Sequence, residues 1–360
     1  MKIGKLLVPL MALCLVWSLS APMGASAAKV IELKVAGWQP PMHPVVQQVY
    51  IPWGKMIEKA TGGRVKFKWF WGGTLVKAEQ GLSAIKSGIA DIIMPLGIWA
   101  FSRQFPVTTA VFMPFQLKNE LHATQSFYEC YRQIPELRNE YKGMKVIGFM
   151  TTGISNFHMR SRLIKTMADM KNQRIWGGNA LGVACLKIWG ASPRITKLAD
   201  IYMSLQRGAL TGLIFPTTPL HSFRLTDLVN KHTIAGFLPG AQLAVMNLKR
   251  WNSLPPDIQK VFMKYRLPLT VAVGVKNLEM NKYILAQLKK RGDQIYFMPQ
   301  AQRDKWRASI KSVYQRQIAL MNKAGLGGTA IMKKIQAIVA QTAKHPMKRA
   351  SYWAPLGKKK

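Results

Sequence analysis

Short strand patterns alternate with helix patterns along this chain, and this alternation constrains the fold most. Residues 31–35 alternate apolar and polar side chains, as a half-buried strand does, and the pattern ends at Gly37. Residues 45–61 place apolar side chains three and four apart, as an amphipathic helix does, and end at Gly62-Gly63. The same patterns predict strands over 64–71, 90–94, 145–149, 156–159, 212–215 and 242–247, and helices over 78–87, 122–141, 180–189, 199–208 and 256–291. We expect Pro268 to kink or interrupt the last helix.

This succession predicts an α/β fold with helices on both faces of a parallel or mixed sheet. A length of 360 residues suggests two domains, and 49% hydrophobic residues exclude an intrinsically disordered chain. Two α/β units joined by several crossing segments predict two lobes with a cleft between them. Ligands of such sheets bind beyond the carboxyl ends of the strands, so the cleft is the expected site.

The amino-terminal segment has the pattern of a secretory signal peptide. Lys2 and Lys5 precede an apolar stretch over residues 6–19, and Ala25-Ser26-Ala27-Ala28 has the small-residue spacing of a cleavage site. The apolar stretch is shorter than the ~20 residues of a membrane span. We expect residues 1–28 to be cleaved and the protein to be periplasmic, with an uncleaved anchor helix as the alternative.

Two cysteines follow the signal peptide. Cys130 lies in an amphipathic stretch and Cys185 in an apolar one, and neither has a histidine or cysteine at metal-ligand spacing. Both are expected to be small core residues, with a disulfide between them as the less favoured alternative.

No catalytic motif is present. The sequence lacks the G-x-S-x-G, H-E-x-x-H, Walker and G-x-G-x-x-G patterns. The six histidines are scattered: His43, His122, His158, His221, His232 and His345. Asp91, Asp169, Asp200 and Asp227 are isolated, whereas acid–base chemistry usually needs a pair of carboxylates. We therefore expect no enzyme activity, no metal and no cofactor, although a triad assembled only in space would escape this argument.

The charge is strongly positive. Lys and Arg number 52 against 15 Asp and Glu, a net charge of +37. The basic residues are spread along the chain, including a tail at 346–360 that ends in three lysines, and no nucleic-acid-binding module accompanies them. Nucleic acid is not an expected partner. The charge would favour anionic envelope surfaces or anionic solutes, or reflect adaptation to an unusual external pH.

Eight short motifs occur in a familiar order. They are Thr61-Gly62-Gly63-Arg64-Val65, Gly72-Gly73-Thr74-Leu75, Gly88-Ile89-Ala90-Asp91, Phe105-Pro106 with Met113-Pro114-Phe115, Ala168-Asp169-Met170-Lys171-Asn172, Gly190-Ala191-Ser192-Pro193, Asp200 to Gly208, and Asn247 to Gln259 with Trp251 and Leu254-Pro255-Pro256. Over about residues 30–320 this order resembles the solute-binding subunits of TRAP transporters, of the dicarboxylate (DctP-like) type.

The resemblance implies a periplasmic receptor whose two lobes close on a small solute by a hinge. It also implies delivery of the solute to a pair of membrane subunits, with the receptor expected as a monomer. Lobe one would comprise residues 29–153 and 241–280, and lobe two residues 154–240 and 281–345. A long helix after Pro256 would bridge them.

Two expected ligand anchors are replaced. In relatives, an arginine in the strand after the fifth motif grips the ligand carboxylate, and an asparagine lies in a later strand. By resemblance, these positions are Trp176 and Phe215 here. Either the ligand is not an ordinary carboxylate or another cation replaces the arginine. Arg160, at the end of the 156–159 strand, is the first candidate, with a solvated surface arginine as the alternative.

Four further residues are expected at the cleft: Trp38, Gln39, Trp99 and Asn179. Trp38 and Trp99 could equally be packing residues, and Asn179 a turn former. Aromatic walls and one cation would suit a ring-bearing or amphipathic anion. The alternative function is an exported protein that senses a solute or binds the envelope surface and has lost transport.

Overall fold

The computed structural model describes residues 30–347. The predicted signal peptide (1–28) lies outside this range, as does nearly all of the basic tail. The strands are β1 (Ile31–Ala36), β2 (Val65–Phe70), β3 (Ile92–Gly97), β4 (Met144–Met159), β5 (Arg174–Trp176), β6 (Ser192–Arg194), β7 (Gly212–Pro216), β8 (Lys231–Asn247) and β9 (Gln294–Phe297). The helices are α1 (Ile51–Ala60), α2 (Gly81–Ser87), α3 (Pro106–Val111), α4 (Glu120–Gln133), α5 (Pro135–Asn139), α6 (Ala180–Ile188), α7 (Ile201–Gln206), α8 (Thr217–Ser222), α9 (Leu248–Asn252), α10 (Pro256–Lys290), α11 (Gln300–Ser309), α12 (Lys311–Lys323) and α13 (Gly328–Lys344). Short 3₁₀ or π segments cover Val46–Tyr50, Ala78–Gln80, Ile98–Gln104, Met167–Met170, Leu198–Asp200 and Leu225–Asp227.

The nine strands of the described residues form one mixed sheet. Its order is β2-β1-β3-β8-β4-β7-β5-β6, and β9 pairs with β8. β1 is parallel to β2 and β3, whereas β3, β8, β4 and β7 are successively antiparallel. The predicted α/β fold is confirmed.

Two long strands run through the middle of the sheet and join its halves. β4 spans 16 residues, so the predicted strands 145–149 and 156–159 are parts of one strand. β8 spans 17 residues, of which 242–247 are only the last third. The sequence pattern breaks because Gly153 has a φ of +90° and the β4–β8 register shifts between Thr151 and Ile154. The backbone bends there, but the strands continue.

Each half of the sheet has its own buried cluster. One surrounds Trp53 and Phe262 and packs on β1, β3 and the first half of α10. Another contains Trp176, Leu213 and Phe215 on β5 and β7. A third, larger cluster extends along the sheet beneath α4 and the carboxy-terminal helices. This is the two-lobed arrangement that the sequence predicts.

Helix α10 bridges the two halves. It spans 35 residues and contacts both α1 and α8, the helix that follows β7. The sequence predicts a kink or an interruption at Pro268; the interruption is wrong, because the helix continues on both sides of the proline. Leu269, Ala272 and Val273 are buried just beyond the proline, so tertiary packing outweighs its local cost.

Several of the eight motifs build turns and helix ends. Gly88 ends α2 in the left-handed conformation, and the Asp91 carboxylate accepts a hydrogen bond from the Lys34 backbone at 2.8 Å. Asn247 caps α9, and Gln259 donates to the Trp251 and Leu254 carbonyls. These motif residues therefore hold turns and helix ends of the scaffold in place.

Cys130 and Cys185 are both free and buried in the large cluster. Burial raises the pKa of both thiols. They are core residues, as expected, and not a disulfide. Separately, among residues 30–347 no helix combines the length and apolar character that crossing a bilayer requires.

Candidate functional site

A pocket lies where the carboxyl ends of four strands meet between the lobes. Trp38 and Trp99 follow β1 and β3, whereas Trp176 and Phe215 lie at the ends of β5 and β7. The pocket has a cavity volume of about 60 Å³. This is the edge of the sheet at which the carboxyl-end rule, applied to the sequence, predicts a ligand site.

Aromatic rings form much of the pocket wall. Trp38 and Trp99 pack edge to face, with ring centroids 6.1 Å apart and ring planes at 86°. Trp176 and Phe215 have centroids 5.5 Å apart. Trp38 also stacks on Phe223 at 6.3 Å, so a side chain from lobe one contacts lobe two.

The polar side chains of the pocket include several without a hydrogen-bond partner. The indole nitrogens of Trp38 and Trp99, the Gln242 amide nitrogen and the Gln39 amide oxygen are all buried and unpaired. Gln39 and Gln242 are 5% and 1% exposed. A buried polar group that finds no partner costs about 1–3 kcal/mol, so these atoms favour a ligand that pairs with them. Three of these groups are neutral donors and one is an acceptor.

A tight turn positions the lobe-two side of the pocket. Gly178 has a φ of +73°, and a Cβ at Gly182 would clash with the Gly177 carbonyl. Asn179 follows this turn and caps α6 by accepting from the Gly182 backbone at 3.0 Å. Asn179 is thus a turn former that also lines the pocket. The Trp176 indole donates to the Thr196 carbonyl at 3.2 Å, which fixes the orientation of its ring.

Of the seven side chains predicted at the site, the structure brings six together around this pocket: Trp38, Gln39, Trp99, Trp176, Asn179 and Phe215.

Arg160 is the exception. It is exposed, lines neither this pocket nor the cavity beside it, and extends towards Gly208. It lies just after the end of β4, but β4 is antiparallel to β7. Met159 therefore pairs with Gly212 at the start of β7, whereas Ser155 pairs with Pro216 at the end that lines the pocket. The cleft position expected for Arg160 is therefore wrong.

The pocket opens into a larger cavity of about 1200 Å³ that shares Trp99, Trp176 and Asn179 with it. The ionisable side chains lining this outer cavity are Glu79, Arg103, Lys187, Arg194, Lys197 and Arg316. Five are cations and one is an anion, whereas none of the described residues that line the inner pocket is ionisable. Positive charge therefore surrounds the approach, and the inner wall is neutral.

Sequence reasoning missed several lining residues. Gln242 is the most informative, because it is a single amide in the apolar stretch 241–246, a pattern that marks a buried polar group in a strand. Thr152 and Ser155 were missed because they fall in the segment taken as a break between two strands. Among residues 30–347, no cluster of three metal-ligating side chains is found.

Comparisons with known proteins identify the family. A model described as bacterial extracellular solute-binding protein, family 7 (DctP), matches residues 35–320. The 2,3-diketo-L-gulonate-binding periplasmic protein YiaO of Escherichia coli (strain K12) is 23% identical over 209 residues, which are 58% of this chain. The match spans 63% of that relative's length, less than two thirds.

Solved structures share the fold. A TRAP solute-binding protein of Rhodoferax ferrireducens T118, in complex with copurified benzoate, superposes with a TM-score of 0.81 at 22% identity, covering 88% of this chain and 99% of that one. A TRAP periplasmic solute-binding protein of Bordetella bronchiseptica, with bound (R)- and (S)-mandelate, gives 0.78 at 22% identity, covering 86% and 99%. Because the family model matches most of the chain, this protein belongs to family 7 of the bacterial extracellular solute-binding proteins.

Proposed function

We propose that this protein is a periplasmic receptor that captures a small organic acid between its lobes and delivers it to TRAP membrane subunits. Family membership and the two-lobed fold support this role. The observation that carries it is the set of unpartnered polar atoms in an aromatic-walled pocket between the lobes. Such a pocket binds without any bond chemistry, because it needs only pre-positioned donors and exclusion of water.

The pocket favours an acid with a ring or another flat apolar body. Trp38, Trp99, Trp176 and Phe215 offer ring faces and edges against which an aromatic body packs. The three neutral N–H groups would donate to its carboxylate or carbonyl oxygens, and the Gln39 oxygen would accept from a hydroxyl. Two of the similar structures hold benzoate and mandelate, whereas the relative YiaO is named for a sugar acid. The aromatic walls of the pocket favour an aromatic acid over a sugar acid.

The cations of the outer cavity would attract the acid without holding it. Arg194 and Lys197 are exposed, so their charges are screened by salt and act over about a Debye length, ~8–10 Å. They would raise the rate of association, while the neutral donors inside determine which ligand stays bound.

The lobes would close by bending at two neighbouring points. The β4–β8 register shifts between Thr151 and Ile154, whose partners on β8 are Ala241 and Pro239. These points coincide with the boundaries expected after residues 153 and 240, which supports lobe one as 29–153 and 241–280 and lobe two as 154–240 and 281–345. Bending there would press Trp38 and Trp99 towards Trp176 and Phe215.

A ligand screen with matched variants tests the proposal. Benzoate, mandelate, galactonate and succinate are titrated into the purified protein, with thermal shift and calorimetry as readouts. We expect benzoate or mandelate to raise the melting temperature more than galactonate or succinate. Trp99→Phe should weaken the binding about three- to tenfold, the effect of one hydrogen bond.

Trp71→Phe is the control. The Trp71 indole nitrogen is also buried and unpartnered, but Trp71 lies outside the pocket. This variant should bind like the wild type. The proposal fails if no acid binds, or if both variants change the affinity equally.

A further inference from the structure

Two buried histidines link the pocket wall to the end of the bridging helix. His158 on β4 and His232 on β8 are paired in the strand ladder, and both are 0% exposed. Their Nδ1 atoms lie 2.8 Å apart. His158 Nε2 lies 3.0 Å from the carbonyl oxygen of Phe215, the residue whose ring lines the pocket. His232 Nε2 lies 2.7 Å from Asp293 Oδ2.

Arg291 lies at the far end of this chain of hydrogen bonds. It is the first residue after α10 and donates to both Asp293 oxygens, at 2.8 and 2.6 Å. It also donates to the Val229 carbonyl at 3.2 Å. The chain thus runs from Phe215 through His158 and His232 to the carboxyl end of the helix that bridges the lobes.

The three hydrogen bonds, from the Phe215 carbonyl to His158, from His158 to His232 and from His232 to Asp293, are called links below. Together they need one proton more than two neutral histidines carry. The Phe215 carbonyl and the Asp293 carboxylate only accept, so both outer links need an N–H from a histidine. The middle link needs one N–H and one free nitrogen. Two neutral histidines carry two N–H groups in total, one too few for three links. All three links exist only when one of the two histidines is an imidazolium.

The proton belongs on His232. Burial and the charge of His232 lower the pKa of His158 well below its ordinary value. Burial also lowers the pKa of His232, but hydrogen bonding and charge attraction from Asp293 oppose this. Burial alone would raise the pKa of Asp293, but hydrogen bonds from Arg291 and His232 bring it below its ordinary value.

Among residues 30–347, three charged groups act on this hydrogen-bonded chain: Asp293, Arg291 and Asp227. Asp293 and Arg291 contact it from the turn after α10, and Asp227 acts on Arg291 from the loop before β8. From β7 the only atom hydrogen-bonded to it is the Phe215 carbonyl oxygen. The proton on His232 is therefore stabilised mainly by Asp293.

We propose that His158 and His232 are positioning residues of the ligand site, and that a proton held between them fixes the Phe215 carbonyl and with it the aromatic wall. This inference rests on the proposed receptor function. When the proton is present, all three links are made and the wall is pre-organised for the ligand. When it leaves, the carboxylate keeps its N–H, so either the middle link or the link to Phe215 breaks.

The sign of the pH effect follows. Because the pKa of His232 lies below its ordinary value, His232 gains its proton only as the solution becomes acidic, and all three hydrogen bonds then form. Ligand affinity should rise as pH falls, by about three- to tenfold, the effect of one hydrogen bond.

The first measurement needs no ligand. Protein labelled with ¹³C at the Phe carbonyls and ¹⁵N at the His rings is followed by NMR between about pH 5 and about pH 8, across the usual histidine range. The Phe215 carbonyl signal, assigned with Phe215→Leu, should shift together with the ring nitrogens of His232. His232→Gln should abolish the shift, and His345→Gln, at an exposed histidine far along the chain, should preserve it.

The second measurement is the affinity for benzoate and for benzenesulfonate, which stays ionised throughout, over the same pH range. The wild type should bind more tightly in acid, and His232→Gln should show no pH dependence. A Phe215 carbonyl signal that ignores the His232 titration, or an unchanged pH dependence in His232→Gln, overturns the proposal. Loss of all acid binding with the coupled titration intact would remove the receptor function and leave the positioning role supported.

Discussion

Trp176 and Phe215 pack with ring centroids 5.5 Å apart and ring planes inclined by 64°. By resemblance to the TRAP receptors, these two positions carry polar ligand anchors in relatives. Both rings are 6% exposed and belong to the buried cluster of β5 and β7. The same pair therefore forms part of the lobe-two core and part of the pocket wall, so the stability of the lobe and the shape of the site depend on the same contacts.

Substitutions at Trp176 should separate the contribution of its ring to stability from that of its hydrogen bond. Trp176→Phe keeps an aromatic ring but loses the hydrogen bond to the Thr196 carbonyl, which should cost about 1 kcal/mol of unfolding free energy. Trp176→Ala removes the ring from a buried cluster and should cost about 3–5 kcal/mol. Denaturant unfolding measures both, and equal losses would contradict this division.

Removal of the Gln242 amide should weaken ligand binding without lowering stability. Gln242→Met keeps the side-chain length but removes a buried amide nitrogen without a partner, so the free energy of unfolding should stay the same or rise. Affinity for the best acid should fall about three- to tenfold, since one donor is lost. Thr217→Val is the control, because the Thr217 hydroxyl is also buried and unpartnered but lies outside the pocket. An affinity unaffected by Gln242→Met would show that the amide faces no ligand.

The fold was predictable because its signals are local. Alternating patterns and Gly-rich turns predict most of the strands and helices. The carboxyl-end rule predicts Trp38, Gln39 and Trp99 at the site. Trp176 and Phe215 are expected there only by resemblance, and Asn179 because it follows a tight turn. What the sequence hid depends on long-range contacts. Gly153 and the bend beside it divide one strand pattern into two, although β8 pairs with β4 on both sides of the break.

Helix α4 and the histidines show two different limits: the break at Pro135 is a local signal that the predicted helix ran through, whereas the histidine pair depends on a long-range contact. The predicted helix 122–141 is two helices, because Pro135 begins α5 after the extended Ile134. His158 and His232 are 74 residues apart, and only the register of β4 and β8 brings them together. Arg160 was expected at the cleft because nothing local shows where β4 ends relative to the pocket.

His43 should make the protein less stable in acid. It is 2% exposed, and burial lowers its pKa to about 4. Between its ordinary pKa of 6.5 and about 4, the unfolded chain binds a proton that the folded protein does not, so folding stability falls as pH falls, by about 3 kcal/mol in all.

His43→Asn tests this assignment. The asparagine oxygen can accept the Val45 N–H in place of His43 Nδ1 but does not titrate. Denaturant unfolding at about pH 7 and about pH 4.5 should show a smaller loss in the variant than in the wild type. An identical loss in both proteins would assign the acid sensitivity to other groups.

The charge of +37 should give salt-sensitive binding to anionic surfaces. Several carboxylates are already engaged, such as Asp91 with Arg250 and Asp293 with Arg291, so they do little to neutralise the exposed lysines. Co-sedimentation with vesicles rich in anionic lipid should retain the protein at about 0.02 M salt and release it near about 0.2 M. Vesicles of neutral lipid serve as the control. Retention that ignores salt, or none at low salt, would refute an electrostatic surface role.

Gly153 should control closure of the lobes. Its φ of +90° is unfavourable for any other residue, and a Cβ there would lie 3.3 Å from the Pro216 Cβ beside the pocket. Gly153→Ala should therefore lower the unfolding free energy by about 1 kcal/mol or more and weaken acid binding, since the strained strand resists the bend. Gly143→Ala is the matched control, because a Cβ at Gly143 meets nothing within 4 Å. If calorimetry shows the same affinity for both variants, the bend at residues 151–154 does not limit closure, and the hinge must lie elsewhere along β4 and β8.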